Sequence, residues 1–278
     1  MSDDVLLVEN VPVEGSSPAG GVISVWTLNR PEKLNALNAA SHDALKQACA
    51  DAEADDNVRV VVIRGADPPP APEGKRQKPA AFAAGADISE FAGKNSDDVR
   101  LFFENNAWER IWNLTKPTIA MVDGFALGGG IELALSCDLR IASTRAKFGT
   151  PEINLGLIAG GGGTQRLADI LGYGKAMEMV MTGEMVGSEE ALRLGLVNDV
   201  VEPEVLETRT MEMAENIARK SPYTIKVAKR AVRASLDLGM SEGILAERSE
   251  FVALFDTEDK EIGVQAFLER KDAEWKGS

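Results

Sequence analysis

The sequence predicts an α/β fold with a helical carboxy-terminal region, and three observations predict it. Short apolar, β-branched runs recur along residues 1–206, segments with helical spacing separate them, and past about Glu207 the strand-like runs stop. Alternation of this kind implies parallel pairing. The strands are short and the turns rich in glycine, which fits an open sheet or a coiled superhelix of ββα units. Residues 207–278 form a second, helical region.

In chain order, residues 22–28 read as a strand, 38–51 as a helix and 58–64 as a strand. Residues 67–79 (DPPPAPEGKRQKP) hold five prolines in thirteen positions and exclude both helix and central strand, leaving a surface loop, a lid or a subunit contact. A helix is expected over 97–114, then strands over 118–122, 139–142 and 196–201. In the tail, helices are expected over 208–220, 222–238, 242–255 and 259–275, the second opening with Pro222 in a favoured first-turn position.

Composition excludes several function classes. A hydrophobic fraction of 44% over 278 residues supports a sizeable core. Lys and Arg number 30 against 44 Asp and Glu, and a net charge of −14 repels nucleic acid and anionic membrane. No apolar run approaches the ~18 residues of a membrane span, and the opening Met1-Ser2-Asp3-Asp4 lacks the basic, then apolar pattern of a secretory signal. The expected location is cytoplasmic. Cys49 and Cys137 read as small buried residues rather than a disulfide. His42 is the sole histidine, expected in a surface or capping role, so no metal constellation is expected.

Three stretches carry chemistry: FAAGADI (82–88), GFALGGGIE (124–132) and FGTPE (148–152). Gly128 to Gly130 precede an apolar segment of helical character, and free N–H groups at a helix entrance hold anions. The run fits neither a P-loop nor a dinucleotide fingerprint, and tight helix packing explains it equally well. Glu132 within IELALS is expensive to bury unless paired, protonated or used, whereas a solvent-facing position would make it ordinary. With Glu152 it makes an acid/base pair beside oxyanion-type donors. Trp108 and Trp112, spaced i,i+4, share a helix face for core packing or an acyl pocket. Asp138 reads as a structural hydrogen-bonding residue.

These stretches resemble the signature of the crotonase superfamily, and within it the enoyl-CoA hydratases. The similarity also covers LNRP (28–31), LNALN (34–38), KPTIA (116–120), CDLRIA (137–142), GGGTQRL (161–167) and AFLERK (266–271). The resemblance implies a spiral of ββα units, a helical region mediating trimers or hexamers, and reversible hydration of an enoyl-CoA. It puts the oxyanion hole on the N–H groups of Ala86 and Gly129, and the catalytic pair on Glu132 and Glu152. Ala84, Asp87 and Ile88 fall beside bound CoA, and Gly160 where an N–H positions water. The substrate brings its own coenzyme A, and no further cofactor or metal is implied. Retention of both glutamates points to an enoyl-CoA hydratase ahead of a Δ3,Δ2-enoyl-CoA isomerase, a pathway-specific acyl-CoA hydratase/dehydratase or a non-catalytic, RNA-associated member.

The sequence departs from the family pattern in the length of the 67–79 segment, in Lys78, set back from FAAGADI by Pro79, and in Ala159, where proline is frequent. Lys78 is either a phosphate partner or a solvated loop lysine. Lys271, Trp275 and Lys276 resemble a region that contacts CoA or a neighbouring subunit, with a solvated terminal helix as the alternative.

Overall fold

A computed structural model describes residues 4–18, 20–104 and 106–278; Met1-Ser2-Asp3 of the segment read for a signal lie outside the described residues. An antiparallel pair, β1 (Leu6–Pro12) and β2 (Val22–Leu28), leads into helix α1 (Ala39–Ala54). One unit then repeats. Its first turn holds β3 (Val58–Gly65), β4 (Ala81–Ala83) and helices α2 (Ser96–Glu104) and α3 (Ala107–Asn113). The second holds β5 (Thr118–Val122), β6 (Phe125–Leu127) and α4 (Gly129–Ser136). The third holds β7 (Leu139–Ser143), β8 (Lys147–Gly149), a 3-10 turn (Pro151–Leu155), α5 (Gly163–Leu171) and α6 (Tyr173–Thr182). There follow β9 (Val186–Gly187), α7 (Ser188–Arg193), β10 (Asp199–Val201), α8 (Leu206–Ala218), α9 (Pro222–Asp237), α10 (Met240–Ala253) and α11 (Glu258–Glu269).

Each turn gives one strand to a sheet of order β1-β2-β3-β5-β7-β10 and one to a second sheet of order β4-β6-β8-β9. The β3–β5–β7 and β4–β6–β8 pairings are parallel, so the chain coils as a spiral of ββα units. The apolar run of β3 follows from burial on both faces. Val61 and Ile63 join the cluster with Trp26, Leu45, Phe82, Ile111, Leu133 and Phe148, while Val60 and Val62 face Leu206, Ala214 and Ala218 of α8. The boundary expected at 207 therefore falls one residue into a helix that covers the sheet.

Beyond it, α9 is fastened through Asp138, which pairs with Lys229 at 2.7 Å and Arg233 at 2.8 Å and accepts from the Thr118 N–H and hydroxyl. Met240, Leu245, Phe251 and Val252 of α10 and Phe267 and Leu268 of α11 remain exposed.

The expected helix over 97–114 is two helices. Asn106 has extended backbone, accepts from the Glu109 N–H and donates to the Phe103 carbonyl, so it caps α3 rather than continuing α2. The strand expected from 196 begins at 199, because the Leu196 and Val197 N–H groups both donate to the Ala191 carbonyl of α7 rather than to a neighbouring strand. Helix α11 ends at Glu269 where Arg270 turns left-handed, φ 57°. The tail then folds back: the Trp275 indole donates to the Arg219 carbonyl, and the Lys276 and Gly277 N–H groups donate to buried Asp259. Trp275 and the Lys276 backbone N–H thus hold the tail to its own chain, while the Lys271 ammonium pairs with Glu269.

His42 corrects the expectation of a surface role. It is buried edge-on against Phe102 and Trp108, both centroids at 4.6 Å, and neither ring nitrogen has a partner among the described residues. Burial holds it neutral, at about 4. Cys49 and Cys137 are buried free thiols, pushed up to about 12 by desolvation.

Candidate active site

The site begins with the 84–88 loop and the segment that holds it. Asn35, left-handed at φ 55°, accepts from the Arg30 N–H and donates to the Ala66 and Ala81 carbonyls. This braces LNALN against the loop: Ala84 N–H donates to Leu34, Leu37 N–H to Gly85 and Asp87 N–H to Leu37. Because Leu37 engages residues 85 and 87, the Ala86 N–H points to the opposite side. Arg30 bridges the Ala36 carbonyl and Asp87, the latter at 2.8 Å. Hydrogen bonds from Ser89 and then Arg30 hold the Asp87 carboxyl down at about 2.

Helix α4 starts against this loop. Gly128 takes φ 51°, ψ −127°, and a Cβ there would stand 2.9 Å from Glu152 Oε1. A Cβ on Gly130 would lie 2.0 Å from the Ala83 carbonyl oxygen, so α4 rests directly on β4. Gly129 is the first helical residue, and its N–H is among those a helix leaves unpaired. The Ala86 nitrogen lies 3.5 Å from where a Gly129 Cβ would stand, which brings the two expected oxyanion donors together.

One turn further, Glu132 points into the protein and is 1% exposed. Its Oε1 accepts from the Gly161 N–H at 2.6 Å and the Gly163 N–H at 2.8 Å. Burial raises its carboxyl to about 7; the charge of Glu152 adds to the rise, while these two hydrogen bonds and Arg166 oppose it. Glu152 sits in the 3-10 turn behind Pro151, its Oε2 buried with no partner among the described residues, and burial raises its pKa too. The two expected carboxylates thus converge beside the Gly128–Gly129 entrance.

An aromatic group closes one side. The Trp108 indole donates to the Gly129 carbonyl at 3.0 Å, and Phe103 stacks on its ring at 6.1 Å. Gly160 lies against Phe103; it is Gly161 and Gly163 of the same stretch that donate to Glu132. Trp112 faces elsewhere, with Arg166 and Arg233 over its ring at 4.6 and 4.0 Å. Ile88 is exposed beside half-buried Asp87, and Lys78 donates to the Glu32 carbonyl at the outer edge of the loop. A cavity of about 830 Å³ between α9 and the end of α4 is lined by Trp112, Arg166, Lys229 and Arg233, but by neither glutamate. Among the described residues, no group of three His, Cys, Asp or Glu is placed to hold a metal ion.

Two backbone donors and two carboxylates of raised pKa can polarise a carbonyl and move protons at carbons next to it. The Gly161 and Gly163 donors lie inside GGGTQRL, but backbone groups carry no residue-type signal. Trp108 was visible as a large apolar residue; its hydrogen bond was not.

The chain matches the family model described as enoyl-CoA hydratase/isomerase over residues 18–278. A probable enoyl-CoA hydratase of Rhizobium meliloti (strain 1021) is 44% identical, with 99% of each chain covered. A short-chain-enoyl-CoA hydratase of Clostridium acetobutylicum is 40% identical over 91% of this chain and 94% of its own. The crystal structure of an enoyl-CoA hydratase from Bacillus anthracis superposes with a TM-score of 0.87 at 34% identity, covering 99% of this chain and 100% of that one. On these similarities and the spiral fold, the chain belongs to the enoyl-CoA hydratase/isomerase family.

Proposed function

We propose that this protein is an enoyl-CoA hydratase, adding water reversibly and with syn geometry across the double bond of a trans-2-enoyl-CoA to give the 3-hydroxyacyl-CoA. The observation that carries this reading is a pair of carboxylates, Glu132 and Glu152, both raised in pKa by burial at the helix entrance that presents Gly129.

The thioester oxygen takes the N–H groups of Ala86 and Gly129. As water attacks the β-carbon, the carbonyl π electrons move onto that oxygen, and each donor contributes about 3–4 kcal/mol to the enolate-like transition state. Glu132, ionised, accepts the proton of the attacking water, and Glu152, protonated, delivers one to the α-carbon. Water adds as HO to one carbon and H to the next, and the pair is reset by proton exchange. No electrons are exchanged with a second group, so no redox cofactor enters; coenzyme A arrives with the substrate. Ala84, Asp87 and Ile88 flank the CoA in this reading, and the Gly160 N–H orients the water.

A glutamate beside the α-carbon could also shuttle a proton between carbons, as an isomerase does. Parallel assays with 2-enoyl- and 3-enoyl-CoA separate the activities: rapid hydration of the former and slow isomerisation of the latter support the proposal, and the reverse order refutes it. A non-catalytic, RNA-associated role is disfavoured by the net charge of −14.

The same proposal includes a homotrimer or a pair of stacked trimers. Its support is the exposed apolar side chains of α10 and α11, Phe251 and Phe267 among them, which a monomer would leave in water. Sedimentation at the mass of a monomer would contradict it. No described helix is long and apolar enough to cross a membrane. Cytoplasmic placement is likewise proposed; a Dictyostelium discoideum relative is named as mitochondrial, and cell fractionation decides.

A further inference from the structure

We propose that Trp108 is a positioning residue that locks the oxyanion donor of Gly129 to the loop holding Glu132. Two contacts carry the inference. The indole Nε1–H donates to the Gly129 carbonyl at 3.0 Å, in a buried hydrogen bond spanning 21 positions of sequence. The same ring lies so close over the 160–163 loop that a Cβ on Gly161 would stand 2.5 Å from Trp108 Cδ2. Gly161 is itself a donor to Glu132 Oε1, at 2.6 Å. One rigid ring therefore touches both halves of the proposed machinery, whose register would otherwise depend on the short helix α4 and a glycine-rich loop.

The ring is held in turn. His42 packs edge-on against it at 4.6 Å and Phe103 stacks on it within 18° of parallel, so its orientation is fixed from two sides. The indole nitrogen matters separately from the ring area. A phenyl ring could fill much of the space, but it would leave the buried Gly129 carbonyl without this donor and free the first turn of α4 to relax. Trp112 provides the contrast: it sits one turn along on α3 and is just as aromatic, but it engages Arg166 and Arg233 rather than either donor.

The inference rests on the oxyanion reading of Ala86 and Gly129, and its test separates the two. Trp108→Phe is compared with Trp112→Phe, and a third protein carries benzothienylalanine at position 108, which keeps the ring shape and lacks the N–H. Expected for both position-108 variants is a fall in kcat of about tenfold with KM changed by less than twofold; Trp112→Phe, which removes no donor from Gly129, serves as the comparison for the carbonyl readout below. The second readout is the infrared carbonyl stretch of bound [1-13C]butyryl-CoA, a saturated thioester that cannot be hydrated. Wild type should shift it to lower frequency, and both position-108 variants should lose much of that shift. If wild type shows no shift, the oxyanion reading fails. If wild type shows it and the position-108 variants retain both shift and kcat, the role assigned to Trp108 fails while the oxyanion reading stands.

Discussion

The Gly161 N–H donates to Glu132 Oε1 across 2.6 Å, binding a carboxylate on a buried helix to a loop 29 residues further along the chain. Because Gly163 donates to the same oxygen at 2.8 Å, one side of the carboxylate is saturated by backbone. In the proposed mechanism the other oxygen is left to meet water. The same bonds oppose desolvation, so Glu132 titrates at about 7 rather than higher.

This sets the pH dependence. Hydration needs one proton on the pair, with Glu132 ionised and Glu152 protonated in the reactive form. The value of about 7 includes the charge of Glu152 and so marks loss of the pair's last proton. Accordingly, kcat should fall as pH rises through an apparent pKa near 7 that belongs to the coupled pair. The charge of Glu152 contributes to that value. Glu152→Gln should therefore lower the Glu132 titration, which carboxyl 13C NMR follows; an unchanged or raised midpoint would refute the coupling.

Burial of Glu132 also has a stability consequence. Its folded pKa of about 7 lies above its ordinary 4.5, so the folded state binds the proton more tightly than the unfolded chain. That favourable proton binding is fully present below about pH 4.5 and is lost as pH rises to 7, a difference of about 3 kcal/mol at most. Glu132→Gln should accordingly be more stable than wild type at pH 8 by up to about 3 kcal/mol, with the advantage vanishing near pH 4. Denaturant unfolding at the two pH values checks this.

Two glycine-to-alanine changes should act in opposite directions. At Gly130 the new methyl would stand 2.0 Å from the Ala83 carbonyl oxygen, a backbone atom that cannot move aside as a flexible side chain could, and α4 could not stay on β4. A loss of about 3 kcal/mol or more, with loss of activity, is expected. Gly174 in α6 has open space around it, so Gly174→Ala should gain up to about 1 kcal/mol and leave activity intact. Thermal unfolding and a hydration assay measure both.

Asp138 should prove structural. Replacing it with Asn leaves Lys229 and Arg233, with 10% and 19% side-chain exposure, without their shared carboxylate. A loss of about 3 kcal/mol is expected, with faster amide exchange concentrated in α9. Unchanged exchange there would show that the pair does not fasten the helix.

The alternation of strands with helices was legible in the sequence because buried parallel strands such as 58–65 read as continuous β-branched runs, whereas the ββα spiral came from the family resemblance. The β4, β6 and β8 strands were not, since three residues carry no period. Glu132 stood out as a carboxylate within IELALS, and Gly128 to Gly130 as a run; their meeting with Glu152 and Ala86 came from family motifs rather than from spacing. Asn106, an ordinary cap residue, split one expected helix, and the surroundings of His42 depend on Phe102 and Trp108 arriving from two different helices. Contacts made by backbone, such as those of Gly161 and Gly163, leave no mark in residue type.

The most direct test is crotonyl-CoA hydration by Glu132→Gln and Glu152→Gln, each checked for native fold by circular dichroism. Each should lose at least about a thousandfold in kcat, since general acid–base groups contribute about 10²–10⁴-fold each and the pair acts as a unit. Turnover within tenfold of wild type in either variant would contradict the claim that these two carboxylates carry the reaction.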